Sequence, residues 1–263
     1  METILDRIIH EKKKEVIRLK ESNPNTQNTN RVKNSFIQKL QNAEEIAIIS
    51  EFKRASPSKG LINNGVEPAV QAGQYEKSGA SAISVLTDKT FFQGSFSDLR
   101  AVREAVDLPI LCKDFIIDPI QIDFAEANGA DLILLIAAAL DQTKLIELYQ
   151  YAKSKNLEVL LEVHNQEELE KALKTGAKLI GVNNRDLKTF TVSLEVTEKL
   201  AVAVKSSGAF LISESGILVK DDVDRVRKAG ANGILIGEAL MKSSDVQQSF
   251  LDFRLPLIAG AKQ

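Results

Sequence analysis

Aliphatic residues recur along this chain in short runs, each followed by a more polar stretch long enough for a helix. The dipeptide Gly-Ala precedes four of these runs. Gly79-Ala80 stands before 83–86, Gly129-Ala130 before 132–136, Gly176-Ala177 before 179–182 and Gly230-Ala231 before 234–236, at intervals of 50, 47 and 54 residues. A glycine in this place fits the end of a helix, where a positive φ costs least without a Cβ. The unbroken apolar run after it fits a parallel strand buried on both faces. Four more aliphatic runs, 46–49, 109–111, 159–163 and 210–212, fall between these, so each period holds two strands and two helix-length segments.

Four such periods make eight βα units, which demand a parallel sheet with helices outside it. Eight units of this length suit closure into a single α/β (β/α)8 (TIM) barrel. An open doubly wound sheet is the alternative. It is disfavoured because no Gly-x-Gly-x-x-Gly follows the first strand and because the period persists to the end of the chain. Ahead of the barrel, residues 1–20 place Ile4, Leu5, Ile8, Ile9, Val16 and Leu19 on roughly one helical face. Residues 22–34, rich in Asn and Thr, read as a loop, and 35–41 as a second short helix. We therefore expect one domain over 1–263, with an N-terminal helical extension at 1–44 and the barrel at 45–263. The extension is too short to bury a core alone.

Composition narrows the function. Of 263 residues, 44% are hydrophobic and 27% charged, with a net charge of −2. A nucleic-acid or polybasic membrane ligand needs clustered excess cations, so neither is expected. The basic run Lys12-Lys13-Lys14 sits between Glu11 and Glu15 and reads as a solvated helix face. A single cysteine, Cys112, excludes an intramolecular disulfide and points to a reducing cytoplasm. The N-terminus has no continuous apolar region, so no secretory signal is expected. The longest apolar run, nine residues at 132–140, is too short to span a bilayer.

Barrel active sites form at the C-terminal ends of the strands. Strand 1 ends Ser50-Glu51-Phe52-Lys53, strand 3 Leu111-Cys112-Lys113-Asp114, strand 5 Leu161-Glu162-Val163-His164 and strand 7 Ser213-Glu214-Ser215-Gly216. One such charge reads as a solvated strand end. Four at equivalent places on alternate strands read as one interior layer. Three carboxylates (Glu51, Glu162, Glu214) can there interleave with two ammoniums (Lys53, Lys113), which keeps buried ions paired and shifts their pKa values as acid–base chemistry requires. Strand 6 adds Asn183, Asn184 and Arg185. After strands 7 and 8, Gly216, Gly237 and the backbone of Glu238 suit a phosphate, although the Glu238 carboxylate would repel one if it turned inward. No metal site is expected, since His10, His164 and Cys112 lack ligand spacing. His164 reads as a satisfied structural histidine, and Cys112 as an outward-facing hydrophobe rather than a nucleophile. Ser56 and Ser58 lie in the loop after strand 1 without a hydrolase context, and Lys59-Gly60 make that loop a candidate cover for the substrate.

With these residues in view, the sequence resembles the indole-3-glycerol-phosphate synthase family over almost its whole length. The resemblance rests on five motifs in order. They are Ser50-Glu51-Phe52-Lys53-Arg54-Ala55-Ser56-Pro57-Ser58-Lys59-Gly60, Leu86-Thr87-Asp88 with Phe91-Phe92-Gln93-Gly94-Ser95, Leu111-Cys112-Lys113-Asp114-Phe115, Gly181-Val182-Asn183-Asn184-Arg185-Asp186-Leu187 and Ser213-Glu214-Ser215-Gly216-Ile217.

The resemblance implies a lyase of tryptophan biosynthesis that converts 1-(2-carboxyphenylamino)-1-deoxyribulose 5-phosphate to indole-3-glycerol phosphate, CO2 and water without cofactor or metal. It implies Lys113 as general acid. Glu162, Glu51 and Lys53 share the remaining acid, base and charge-stabilising roles, and Lys53 is also a candidate to hold the substrate carboxylate. Asn183, Glu214 and Ser215 position the ribulose part, with Arg185 a partner for Asn183 or for an anion. Phe92, Phe115 and Leu134 form the pocket for the aromatic ring, with Ser56 and Leu187 further substrate contacts. Gly216, Gly237 and Glu238 take the phosphate. The first helix resembles an extra helix over the barrel mouth. The chain ends soon after the eighth unit, so one activity is expected, in a cytoplasmic monomer with a weak homodimer as the alternative. Rival readings are another ribulose-phosphate barrel such as phosphoribosylanthranilate isomerase, which does not need Lys53, Lys113 and Glu162 together, and a non-catalytic phosphate-binding barrel, which predicts a broken acid–base set.

Overall fold

The computed structural model describes residues 3–22, 31–56, 60–61 and 65–258. Its centre is a closed barrel of eight parallel strands: β1 (Ala47–Phe52), β2 (Ala82–Leu86), β3 (Ile110–Lys113), β4 (Leu132–Ile136), β5 (Glu158–Val163), β6 (Leu179–Asn183), β7 (Phe210–Glu214) and β8 (Gly233–Ile236). Each strand pairs with its sequence neighbours, and β8 closes on β1 with Ile49 beside Leu235. The open sheet is thereby ruled out. The four repeat glycines hold positive φ values of 98°, 97°, 77° and 111°, which is why the motif recurs where a helix hands over to a strand.

Strand alternation divides the core in two. Ile48, Ile83, Val85, Cys112 and Ile133 face outward and pack beneath the helices. Ile49, Leu111, Leu132, Leu160, Leu179 and Ile212 face inward and fill the barrel. The interior is thus a packed core, and a polar side chain can be reached from outside only at the two ends. Cys112 is 1% exposed in the outer layer, and burial pushes its thiol up to about 12, as befits a hydrophobe.

Two helices precede the barrel. The helix α1 (Ile4–Ser22) lies at the C-terminal end of the strands, where Ile4, Leu5 and Ile8 face the central cavity. The helix α2 (Phe36–Gln41) contributes Phe36 and Leu40 to the inner cluster from the other end. Its first turn is held by Glu158, which accepts from Ser35 Oγ and from the backbone of Phe36 (2.9 Å) and Ile37 (3.1 Å). The outer ring comprises α3 (Pro68–Ser78), the short α4 (Lys89–Phe92), α5 (Phe96–Ala105), α6 (Pro119–Ala127), α7 (Gln142–Ser154), α8 (Gln166–Leu173), α9 (Glu195–Ser206), α10 (Lys220–Ala229), the short α11 (Glu238–Lys242) and α12 (Val246–Phe253). No helix among the described residues is long and apolar enough to cross a membrane.

The solvated reading of Lys12 is overturned. This residue is 1% exposed, with its Nζ 2.6 Å from Asp114, 3.0 Å from Asp88 and 2.9 Å from Glu15. Lys13 and Lys14 do face solvent, as the run suggested. A lysine whose stem packs inward on an amphipathic helix keeps its charge only where acids meet it, and Asp88 and Asp114 come from loops far away in sequence.

Candidate active site

Because alternate strands supply the same interior layer, Glu51, Lys113, Glu162 and Glu214 come together just above the last apolar layer. Lys113 Nζ lies 3.2 Å from Glu162 Oε2 and 3.1 Å from Glu214 Oε2. Lys53 Nζ lies 2.5 Å from Glu51 Oε1. The three carboxylates are 1–4% exposed. Burial alone would lower the Lys113 pKa, but Glu214, Glu162 and Glu51 outweigh it, so the ammonium is held above the ordinary lysine range. Glu162 is the mirror case: burial raises it, while Lys113, His164 and Asn183 bring it below the usual carboxylate range. Glu214 ends on the other side, pushed up by burial and by its neighbouring carboxylates despite the pull of Lys113. The layer therefore holds carboxylates of unlike basicity on either side of one ammonium.

Two glycines make room for these acids. A Cβ on Gly181 would stand 2.1 Å from Glu214 Oε1, and one on Gly237 would stand 2.9 Å from Glu51 Oε1. Glycine inside a strand signals close approach of another group, and at Gly181 that group is a catalytic candidate. Gly181→Ala is expected to displace the Glu214 carboxylate at a cost of about 1–3 kcal/mol. The readout is kcat with circular dichroism as the control for folding. A loss of roughly 10–100-fold in an intact barrel is expected, and an unchanged kcat would show that Glu214 works from another position.

The site opens into a cavity of about 540 Å³ at the C-terminal end of the barrel. On one wall Phe92 and Phe115 stand with ring centroids 5.9 Å apart, each half-buried, with Leu134 below. Asp88 places Phe92 by capping α4, accepting from the backbone of Phe91 (2.6 Å) and Phe92 (3.2 Å). Asp114 places Phe115 by accepting from its backbone N–H at 2.7 Å, and it also takes the Thr87 hydroxyl. Lys12 joins both aspartates, so one buried cation holds both aromatic loops and α1 together.

On the opposite wall the chain leaves β7 through two successive left-handed residues, Ser215 (φ 66°) and Gly216 (φ 80°). A Cβ at Gly216 would meet Val192 Cγ1 at 2.4 Å. Asn184 fixes this turn. Its Nδ2 donates at 3.0 Å to Ser213 Oγ and to the carbonyls of Glu214 and Ser215, while its Oδ1 accepts from Thr197 N and Oγ1. Asn183 turns inward instead and donates to Glu162 Oε1 at 3.1 Å. The Arg185 backbone N–H donates to Asn183 Oδ1 at 3.0 Å, so the expected partnership is made by the main chain, while the guanidinium reaches the Phe190 carbonyl. The Glu238 carboxylate accepts from Lys242 Nζ at 2.8 Å, a salt bridge along α11.

Of the site residues singled out from sequence, Glu51, Lys53, Lys113, Glu162, Asn183, Glu214 and Ser215 line this cavity, with Phe92, Phe115, Leu134, Arg185, Leu187, Gly216, Gly237 and Glu238. The backbone of Ser56 pairs with Gly60 in a small antiparallel ribbon, Ala55–Ser56 with Gly60–Leu61, and its side chain lies outside the described residues, as do Ser58 and Lys59. Missed from sequence were Ile4, Leu5 and Ile8 on the roof, and Phe190, Val192 and Leu218 at the rim. The apolar face of α1 was legible and the resemblance put the helix over the barrel mouth, but that Ile4, Leu5 and Ile8 are the residues it presents to the cavity was not legible. The rim residues carried no signal beyond being hydrophobic in loops.

With known proteins, the family description "Indole-3-glycerol phosphate synthase" matches residues 5–253. Relatives of that name in two Bacillus cereus strains are 51% and 52% identical over 97% of this chain and 99% of theirs. One from Bacillus anthracis is 50% identical over the same shares. Among solved structures, a thiamine phosphate pyrophosphorylase from Pyrococcus furiosus superposes with a TM-score of 0.60 at 22% identity, covering 81% of this chain and 95% of that one. A 3-hexulose-6-phosphate synthase superposes with a TM-score of 0.59 at 16% identity, covering 79% and 98%. At those identities the two likenesses concern the barrel alone.

Proposed function

This chain belongs to the indole-3-glycerol phosphate synthase family, and from that premise we propose how its cavity carries out the reaction. The enzyme is a carboxy-lyase that closes, decarboxylates and dehydrates 1-(2-carboxyphenylamino)-1-deoxyribulose 5-phosphate to indole-3-glycerol phosphate. The observation that supports our assignment of roles best is the Lys113 ammonium, held between Glu162 and Glu214 on the cavity floor with aromatic side chains on one wall and the Ser215-Gly216 turn on the other.

The substrate's aromatic ring lies between Phe92, Phe115 and Leu134, where apolar surface favours it over water. Its phosphate lies against the backbone N–H groups of Gly216, Gly237 and Glu238. The Lys242 salt bridge engages the Glu238 carboxylate, which answers the expected repulsion. Between these ends the ribulose hydroxyls meet Asn183, Glu214 and Ser215. Lys113 gives its proton to the ketone oxygen as the ring carbon bearing the carboxylate attacks the ketone carbon. The bond that forms leaves a cationic iminium, which the ionised Glu162 stabilises in place of the ammonium. The carboxylate then leaves as CO2, and its bonding electrons neutralise the iminium and restore the aromatic ring. Loss of the hydroxyl as water needs a proton donor there, and a base takes up the proton that the ring system releases. Lys53 and Glu51 form the second acid–base pair within the same layer and share these steps with Glu162. Lys53 is also placed to hold the carboxylate before it departs. The acid–base layer is complete within one barrel, so the proposed reaction calls for no second subunit, and its proposed place is the cytoplasm.

The test is an assay of the purified chain on this substrate, without added metal or cofactor, followed by indole fluorescence. Appearance of the indole signal is expected. A folded protein that gives none, yet isomerises phosphoribosylanthranilate, would transfer the site to that reaction.

A further inference from the structure

His164 stands two residues beyond Glu162 on the same side of the chain, 10% exposed and outside the cavity lining. Its ring lies between two acids. Nδ1 is 2.9 Å from Glu168 Oε2, and Nε2 is 3.3 Å from Glu162 Oε1, an ion-pair distance without the alignment of a hydrogen bond. Glu168, on α8, is itself held. Asn165 Nδ2 donates to its Oε1 at 2.8 Å, and the His164 backbone N–H donates to its Oε2 at 2.9 Å. A neutral imidazole has one N–H and one lone pair. In either tautomer the lone pair would face a carboxylate, whereas the imidazolium donates to Glu168 and holds its charge at ion-pair distance from Glu162. The groups facing His164 agree. Glu162 comes from its own strand and Glu168 from α8, the neighbouring turn at Ala137–Ala139 brings alanines, of which Ala137 accepts through its carbonyl from Lys171 of α8, and Lys113 and neutral Asn183 reach Glu162 beyond it. Burial opposes the cation, but the two carboxylates outweigh it and hold the ring up to about 10.

The consequence lies in how Glu162 is held. Its Oε1 is taken by Asn183 and His164, and its Oε2 by Lys113. Once Lys113 has given its proton away, it is a neutral amine and no longer a counter-ion. At that moment Glu162 must stay ionised to face the iminium. We infer that His164 is a positioning residue whose imidazolium, backed by Glu168, keeps Glu162 ionised and turned toward the cavity while Lys113 is deprotonated. The inference rests on the proposed role of Glu162.

Two arms test it. The chain has two histidines, His10 and His164, so 15N imidazole spectra hold two rings, assigned through His10→Asn. His164 is expected to remain an imidazolium at pH 8 in the wild type and to titrate at lower pH in Glu162→Gln. In the second arm, His164→Gln and Glu168→Gln are each expected to lower kcat roughly 10–100-fold with KM within about 2-fold, because small misplacement of a reacting group acts on the transition state. A neutral His164 at pH 8, or one indifferent to Glu162→Gln, overturns the inference. So does an unchanged kcat in Glu168→Gln, which leaves Glu162 untouched and carries the test if His164→Gln fails to fold. The spectra need no substrate, so a failure of the proposed reaction is distinguishable: the wild type would then be inactive whatever the imidazole shows.

Discussion

Lys113→Ala is expected to lower kcat by about 10²–10⁴-fold, the range that a positioned general acid supplies, while binding of a substrate analogue changes far less. The ammonium contacts two acids of the enzyme at 3.1 and 3.2 Å and faces the cavity, and in the proposed reaction it is the donor to the substrate's ketone oxygen. An interaction made only in the transition state affects kcat and kcat/KM together and leaves ground-state binding alone. Truncation also leaves Glu162 and Glu214 near each other without their shared cation. At least one of them is then expected to take up a proton, since like charges disfavour ionisation of both. The measurement is steady-state turnover beside calorimetric binding of a non-reacting analogue. A variant that keeps kcat and loses only affinity would move Lys113 from acid to substrate anchor.

Lys12→Met is expected to destabilise the fold by about 3–5 kcal/mol, the usual consequence of removing one partner from a buried ion cluster. Methionine matches the stem but leaves Asp88, Asp114 and Glu15 without their cation. The Lys12 pKa is raised: burial lowers it, but Asp114, Asp88 and Glu15 outweigh that. A group with a raised folded pKa contributes fully below its unfolded value and loses that contribution only as pH rises through the folded one. The difference between variant and wild type is therefore expected to hold through neutral pH and to close as pH rises into strong alkali. Urea unfolding at several pH values measures this. The same substitution should raise KM, because α1 carries Ile4, Leu5 and Ile8 on the cavity roof and Lys12 ties it to the Phe92 and Phe115 loops. A variant with unchanged unfolding free energy would show that the three acids find other partners when the helix loosens.

The two lysines mark how far reading the chain in one dimension reaches. Lys113 was legible because it interrupts an aliphatic strand, and Glu51, Glu162 and Glu214 repeat that interruption on alternate strands. Strand period and barrel layering together place such residues in one plane before any coordinates are known. Lys12 was not legible, since its neighbours Lys13 and Lys14 face water and its acidic partners lie some 75 and 100 residues away. Gly181 lies between these cases. It stands in one of the five motifs, but that it leaves room for Glu214 shows only in three dimensions.

The sequence by itself determined the repeat of eight βα units, the end of the barrel that bears the chemistry and the identities of the acids and bases there. These depend on periodicity and on residue type, which are local properties. Only the tertiary structure decided that the barrel closes, that α1 presents Ile4, Leu5 and Ile8 to the cavity, that His164 lies between Glu162 and Glu168, and which carboxylate is made more basic and which less. Those outcomes depend on burial and on charges meeting through space across β3, β5, β6 and β7, and a pKa responds to distance and desolvation rather than to order along the chain.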